Sequence, residues 1–189
     1  MAGPTASVLL PDVLREQERA DVRAEIHGMS NLVEWDDFWI RERPLFVWFG
    51  PEFSDDLTEY VDEGVAALLG WRPQDILGFA AMCNDLEDHR ILGDLALQFA
   101  RRFGGVVDFH GALSPPIQGE LEDLWRKQRL FSADWRVWEP YFDEMMEGVC
   151  GRLITSPYVT ANGREWARHI GDPDFLEWWL RQPNFRMIK

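Results

Sequence analysis

Residues 88–113, DHRILGDLALQFARRFGGVVDFHGAL, constrain the fold more than any other part of the chain. Their apolar members recur at intervals of three and four and so line one face of a helix: Leu92, Leu95, Phe99 and Phe103. Acidic residues begin this helix and Arg101-Arg102 close it, as the helix dipole favours. Gly104-Gly105 ends it, because glycine adopts the left-handed C-cap conformation without a Cβ clash. Residues 106–109 follow as a strand, so the segment predicts a helix packed on a sheet.

Strand and helix signals alternate along the N-terminal half. Residues 8–10 predict a short strand, and Asp12 can cap a helix that continues to about Ile26. Residues 32–40 and 44–49 predict a hairpin that turns at residues 41–43. Ser54 or Asp55 caps a further helix, which Gly70 ends, and residues 75–82 predict another strand. The apolar residues of that further helix, expected to face the core, are Leu57, Val61, Val65 and Leu68.

Residues 114–149 depart from this alternation. Ser114-Pro115-Pro116 marks a break, and residues 121–130 predict a short helix. Apolar residues recur at helical spacing from Trp135 to Val149, around a proline that disrupts a helix interior. This helix either begins near Pro140 or is kinked there, and we favour the later start. We expect the segment to be a helical insertion or arm packed on the sheet, and not a second domain.

The C-terminal signals are the clearest after the central helix. Asn162-Gly163 stands between two strand-like runs, residues 153–159 and 165–170, and is a strong hairpin signal. Asp172-Pro173 then begins a helix, and residues 185–188 predict a terminal strand. We therefore expect one α+β domain over residues 1–189. It has a mixed or mainly antiparallel sheet, helices packed on the faces of that sheet, and a C-terminal hairpin, helix and strand.

Charge and composition exclude several function classes. The formal net charge is −14, and 46% of the residues are apolar, which is too many for a disordered chain. Such a surface repels phosphate backbones and anionic lipid; it serves either solubility alone or a basic partner. No apolar run reaches the length of a membrane span and the N-terminus lacks a signal-peptide pattern, so we expect a cytoplasmic protein. Cys83 and Cys150 are then expected to be buried free thiols.

Two acid–histidine pairs are the candidates for chemistry, Asp88 with His89 and Asp108 with His110. The second pair stands two residues apart on a predicted strand and so faces one side, a common general-base or metal-ligand arrangement. The helix separates the two pairs by roughly 20 Å at about 1.5 Å per residue, so they do not form one site. Phosphate-binding glycine loops and the GxSxG, HExxH and CxxC motifs are all missing. We therefore favour helix capping and turn hydrogen bonds for these residues, and expect no catalytic residue, metal or cofactor.

Acidic and aromatic side chains form the better candidate, a partner-binding surface. A helix from Ser54 places several carboxylates on one face, and residues 35–39, WDDFW, interleave aromatic rings with carboxylates beside the hairpin. Aromatic anchors ringed by carboxylates suit a basic protein surface; the alternative is a solvated helix face and a half-buried edge strand. Ten tryptophans also favour a groove or interface that uses some of them. The candidate residues are Trp35, Asp36, Asp37, Trp39, Asp55, Glu59, Asp62 and Glu63.

The run DHRILG…LA…ARRFGGVVDF.GAL and the ending HIGDPDFLEWWLRQPNFRMIK resemble a family of small uncharacterised proteins from actinobacteria and related bacteria. The resemblance covers roughly residues 75–113 and 151–189, and more weakly the N-terminal strand and helix. In general character this family is similar to immunity proteins of bacterial toxin systems, which are acidic, single-domain and α+β. The resemblance implies a fold and a broad role, and it carries over no catalytic residue.

Three functional hypotheses follow from the charge, the clusters and the resemblance. The leading one is a non-enzymatic protein of immunity type, which neutralises a cognate toxin with a basic surface by occluding the toxin's active surface. The second is an enzyme with a site assembled from scattered residues, with the two acid–histidine pairs first to test. The third is an oligomeric scaffold subunit whose Trp-rich face is the interface between copies.

Replacing Asp55, Glu59, Asp62 and Glu63 together with lysine tests the acidic helix. Exposed substitutions seldom cost more than about 0.5 kcal/mol, so the melting temperature should stay close to that of the wild type. Affinity for the partner should fall strongly and depend on salt, because four attractive contacts become repulsive. Titration calorimetry at two salt concentrations measures this, and unchanged affinity would remove the helix from the partner surface.

Overall fold

The computed structural model describes residues 3–34, 37–50, 63–113, 146, 149–159, 163, 165–182 and 185–187. The strands among them are β1 Thr5–Leu10, β2 Leu32–Glu34, β3 Asp37–Ile40, β4 Arg43–Phe49, β5 Asp75–Ala81, β6 Val106–Asp108, β7 Leu153–Val159 and β8 Glu165–Gly171. The helices are α1 Glu16–Met29, α2 Glu63–Leu69, α3 Leu86–Phe103 and α4 Pro173–Leu180.

The eight strands form one sheet in the order β2-β3-β4-β5-β1-β6-β8-β7, and every neighbouring pair is antiparallel. The prediction of an α+β fold with a mainly antiparallel sheet is confirmed. Strand β1 lies near the middle, between β5 and β6, whereas β2 and β7 are the two edges.

One face of the sheet, the helical face, carries the main core. Alternate residues of β1, Ala6, Val8 and Leu10, are buried there with Phe79 of β5 and Val107 of β6. Helices α1, α3 and α4 supply the opposite side of this core. Of the predicted apolar stripe of α3, Leu92, Leu95 and Phe99 are buried and Phe103 is half-buried. The ring of Phe99 stacks on that of Phe79 at 5.7 Å between centroids. The helical pattern therefore fixes which face of the sheet the helices cover.

The other face, called here the second face, carries a smaller cluster at one end of the strands. Leu9, Ile76 and Ile170 pack there against Val65 and Leu69 of α2. Val65 faces the core as predicted. Leu68 was also predicted to face it but is 37% exposed, and Leu69 is buried in its place. Val65 and Leu69 are four residues apart and so lie on the same side of α2, and this single apolar row of a short helix faces the sheet. Leu57 and Val61 lie outside the described residues.

Local signals set the ends of α3 and α4. Asp88 accepts a hydrogen bond from the Asp85 N–H at 2.6 Å, and Gly104 adopts φ +66° at the other end of α3. Asp172 accepts from the Phe175 N–H at 2.8 Å, and Pro173 is the first residue of α4. These caps confirm the predicted glycine stop of α3 and the predicted start of α4.

Both predicted hairpins form. β7 pairs with β8 from Leu153 opposite Gly171 to Val159 opposite Glu165. The β3–β4 turn consists of Arg41 and Glu42, both with positive φ, since Ile40 already pairs with Arg43. Of the predicted Asn162-Gly163 turn, the structure describes the glycine, which has φ +78°.

Several boundaries differ from the prediction. Residues 32–40 form two antiparallel strands, with Leu32 opposite Trp39, and not one strand. Helix α1 begins at Glu16 and not after Asp12, because Glu18 accepts a hydrogen bond from the Arg15 N–H at 2.8 Å. β6 ends at Asp108, one residue before the predicted end.

The exposure of the two cysteines and the conformation of residues 185–187 also differ from the prediction. Cys83 and Cys150 are free thiols as predicted, but both are exposed and not buried. Where a terminal strand was predicted, residues 185–187 lie outside the eight strands and pack on the core through Phe185 and Met187. The predicted arm at residues 114–149 lies outside the described residues apart from 146 and 149, as does Ile188.

Leu95→Ala and Phe99→Ala test the packing of α3 on the sheet. Each removes a buried side chain and leaves a cavity, so the free energy of unfolding should fall by roughly 2–5 kcal/mol. Leu86→Ala is the matched control, because Leu86 begins the same helix with an exposed side chain. Urea denaturation measures all three, and two core variants as stable as the control would contradict the packing of α3.

Candidate functional site

The second face of the sheet carries an aromatic row beside a polar row. On β3 and β4 the aromatic row consists of Trp39, Phe46 and Trp48, and the rings of Phe46 and Trp48 stack at 6.0 Å. On β1, β6, β8 and β7 the polar row consists of Ser7, Asp108, Arg168 and Ser156. The register places these side chains on one face, because residues opposite each other in antiparallel strands point to the same side.

Ser7 forms the central contact of the polar row. Its Oγ lies 2.8 Å from Nε2 of His110, a residue 103 positions away in the sequence. Ser7 is 1% exposed and His110 is exposed, so the imidazole joins a buried hydroxyl to solvent. In the tautomer that carries its proton on Nδ1, Nε2 accepts a hydrogen bond from the Ser7 hydroxyl.

Asp108 lies between Ser7 and Arg168 and is fully buried. Its Oδ1 accepts a hydrogen bond from the His110 N–H at 2.6 Å. Its Oδ2 lies 3.6 Å from Nη1 of Arg168 and has no hydrogen-bond partner in the described structure. Burying a carboxylate is costly without compensation, so Arg168 supplies the charge that keeps it in the sheet.

The predicted turn role of Asp108 is confirmed, but the predicted strand position of His110 is wrong. His110 lies beyond the end of β6 with φ +58°, a left-handed conformation that is uncommon outside glycine. The two side chains therefore do not alternate along one strand. The Asp108 carboxylate holds the backbone of His110 instead, and this turn brings the imidazole to Ser7.

Asp88 and His89 lie at the start of α3, away from the polar row. Asp88 is buried, caps the helix and lies 3.6 Å from Nη1 of Arg43, which confirms its predicted capping role. Nδ1 of His89 accepts a hydrogen bond from the Met187 N–H at 3.0 Å. Burial lowers the pKa of His89, and the nearby Arg186 lowers it further. The hydrogen bond from Met187 holds residues 185–187 against α3.

The predicted partner-binding residues are only partly described. Asp37 and Trp39 lie on β3, and Glu63 is the first residue of α2. The indole Nε1 of Trp39 is buried and has no hydrogen-bond partner within the described residues. The remaining predicted residues lie outside them: Trp35, Asp36, Asp55, Glu59 and Asp62.

Exposed apolar side chains collect at the two edges of the sheet. At one edge, called here the β2 edge, Met29, Leu32 and Val33 are 39%, 46% and 38% exposed. At the other, Tyr158, Val159 and Trp166 are exposed on the β7–β8 hairpin. The β2 edge adjoins Asp37 and Trp39, because Leu32 pairs with Trp39.

Neither a metal-binding cluster nor a membrane-spanning helix occurs among the described residues. No group of three or more His, Cys, Asp or Glu side chains among them is arranged to hold a metal ion. Within the same residues, no helix combines the length and apolar character needed to cross a membrane.

Comparison with known proteins places the chain in a family. A model of a family of unknown function, DUF6368, matches residues 2–189. The chain belongs to this family. No curated protein and no solved structure matches it. The family carries no assigned function, so the role of the chain rests on its own residues.

Sequence reasoning overlooked Ser7. Its signal was a lone hydroxyl within the apolar run ASVLL, in a strand whose other residues are nearly all buried. A polar residue buried in a central strand needs a partner, and this need marks it as a candidate. The identity of the partner depends on the pairing of β1 with β6, which local patterns do not encode.

His169 gives the fold a predictable pH dependence. It is buried in β8, its Nδ1 accepts from the Leu113 N–H at 2.9 Å, and burial lowers its pKa from 6.5 to about 4. Between these two pH values the unfolded chain therefore binds more protons than the folded chain. The contribution of His169 to the free energy of unfolding is fully present above pH 6.5 and is lost as the pH falls toward 4. The loss attributable to His169 is on the order of 3 kcal/mol.

His169→Asn should reduce this pH dependence, since an amide oxygen can accept the same N–H and does not titrate. Urea denaturation at pH 7 and pH 4.5 measures the difference in unfolding free energy for each protein. His27→Asn is the matched control, because His27 is exposed. Equal pH dependence in the wild type and His169→Asn would contradict the assignment.

Proposed function

We propose that this protein is a binding protein of immunity type, which acts in the cytoplasm and neutralises a cognate bacterial toxin non-enzymatically, by occluding its active surface. The observation that carries the proposal is the β2 edge, where exposed Leu32 lies on the same face of the sheet as Asp37, on a chain of net charge −14. Apolar contact supplies affinity, and the acidic field supplies orientation and speed of association.

The β2 edge suits a protein partner. Its three residues come from the end of α1 and from β2, a three-residue strand with β3 as its neighbour in the sheet. Leu32 is exposed on the second face and Val33 on the helical face, so a partner that covers this edge contacts an apolar side chain on either face. A short edge strand also offers backbone N–H and C=O groups to a docking chain.

The net charge favours a basic partner over a second copy of the chain. Two molecules of charge −14 repel each other, and the repulsion acts against a scaffold built from identical subunits. A basic toxin surface is attracted by the same field. The family likeness to immunity proteins in size, charge and α+β composition supports the same assignment.

Leu32→Lys and Leu32→Glu test both parts of the proposal at one exposed position. The partner in the assay is the product of the neighbouring gene, expressed alone to measure its toxicity and then with each variant. Both variants lose the apolar contact, but the lysine also repels a basic surface. We expect affinity to fall by about tenfold or more for Leu32→Lys and less for Leu32→Glu, with the gap narrowing at high salt.

Val13→Lys is the matched control, because Val13 is an exposed apolar residue (59%) outside the β2 edge. It should bind and protect like the wild type. A neighbouring product that is neither toxic nor bound would overturn the proposal. Equal affinity of Leu32→Lys and the wild type would remove the β2 edge from the interface. A dimer of the protein alone that Leu32→Lys disrupts would support the scaffold instead.

A further inference from the structure

We propose that Ser7 and His110 are the nucleophile and general base of an acyl-transfer site on the second face of the sheet, with Asp108 as the positioning residue. The class of substrate is a carboxylic ester with an apolar acyl group. This activity goes beyond the proposed toxin neutralisation and uses none of the residues of the β2 edge.

The two side chains lie at the distance of a hydroxyl hydrogen-bonded to an imidazole. Oγ of Ser7 and Nε2 of His110 are 2.8 Å apart, within the range expected of a nucleophile and its base. A third group that orients the base completes such a site. Asp108 performs this task through the backbone, since its Oδ1 accepts from the His110 N–H at 2.6 Å.

The conformation of His110 is a second, independent observation. A non-glycine residue with φ +58° is strained, and such strain persists where the surroundings impose it, often at functional sites. Two flanking hydrogen bonds impose it here: the Asp108 carboxylate holds the N–H of His110, and the next carbonyl, that of Gly111, accepts from the His169 N–H at 3.0 Å. The turn is thus fixed on both sides of the imidazole.

The surroundings of Ser7 indicate what kind of acyl group would fit. Gly78 is opposite Ser7 on β5, and the indole of Trp48 occupies the space above this glycine, 2.0 Å from where a Cβ would stand. An aromatic wall therefore lies directly beside the hydroxyl. On the other side of Ser7 lies Asp108, whose Oδ2 is buried 3.6 Å from Nη1 of Arg168.

The reaction balances without a metal or redox cofactor. Oγ of Ser7 attacks the ester carbonyl carbon as its proton passes to Nε2 of His110. The bond between that carbon and the leaving oxygen breaks, and the leaving alcohol takes the proton from His110. Water then attacks the acyl-serine, giving its proton to His110, and the carboxylic acid departs as Oγ recovers a proton.

Phenylmethanesulfonyl fluoride tests the nucleophile directly, because its aromatic group suits the Trp48 wall and its sulfonyl group is transferred to an activated serine with loss of fluoride. We expect one adduct per chain, found by mass spectrometry on the peptide that contains Ser7. Ser7→Ala should take up none. His110→Ala should react at least about 100-fold more slowly, as expected for loss of a general base.

Ser30→Ala is the matched control, since Ser30 is a half-buried serine at the end of α1, outside the polar row. It should react at the wild-type rate. Sulfonylation is measured on the protein alone, without the toxin, so failure of the toxin-binding proposal and failure of this one are distinguishable. Asp108→Asn, which keeps an acceptor for the His110 N–H, should retain more activity toward p-nitrophenyl esters than Asp108→Ala.

A folded wild-type protein that takes up no sulfonyl group, or that takes it up at another residue, would overturn the proposal. So would a His110→Ala variant that reacts as fast as the wild type. Circular dichroism of each variant confirms that the fold is retained, and Ser7→Thr, which keeps a hydroxyl at the same position, replaces Ser7→Ala if the latter fails to fold.

Discussion

The packing of α3 on the middle of the sheet is the interaction on which the rest of the structure depends. The apolar stripe of this helix lies against β1 and its neighbours β5 and β6, with Phe99 stacked on Phe79. Helix α4 then packs on α3, and the chain end is fixed by the Met187 N–H bonded to His89. Because the stripe is continuous, this one helix covers one face of three central strands, and the side chains on that face become part of the core.

That commitment decides where the polar residues of the central strands lie. Consecutive side chains of a strand point to opposite faces, so the burial of Ala6 and Val8 under α3 sends Ser7 to the second face. The same alternation in β6 buries Val107 on the helical face and places Asp108 opposite Ser7. The polar row is thus a consequence of how the core is patterned. Within it, the charge of Arg168 compensates the charge of the buried Asp108.

The two proposals use different parts of this arrangement. The β2 edge lies at the end of the sheet, separated from β1 by three strands, where exposed apolar side chains can meet another protein. The Ser7–His110 pair lies near the middle of the sheet, where β5 and β6 pair with the strand on both sides of Ser7. A surface for association requires exposure and a reactive pair requires fixed positioning, so the two proposals draw on different parts of the sheet.

The sequence by itself determined the elements that depend on near neighbours. The spacing in α3, its glycine stop, the Asp172-Pro173 start of α4 and the β7–β8 hairpin all follow from contacts within a few residues. Tertiary structure alone decided the strand order, the replacement of Leu68 by Leu69 in the core, the exposure of both cysteines and the meeting of Ser7 with His110. The physical reason is that periodicity reports which side of an element is apolar. Which strand pairs with β1, and in what register, is settled by packing and hydrogen bonds between residues far apart in the chain.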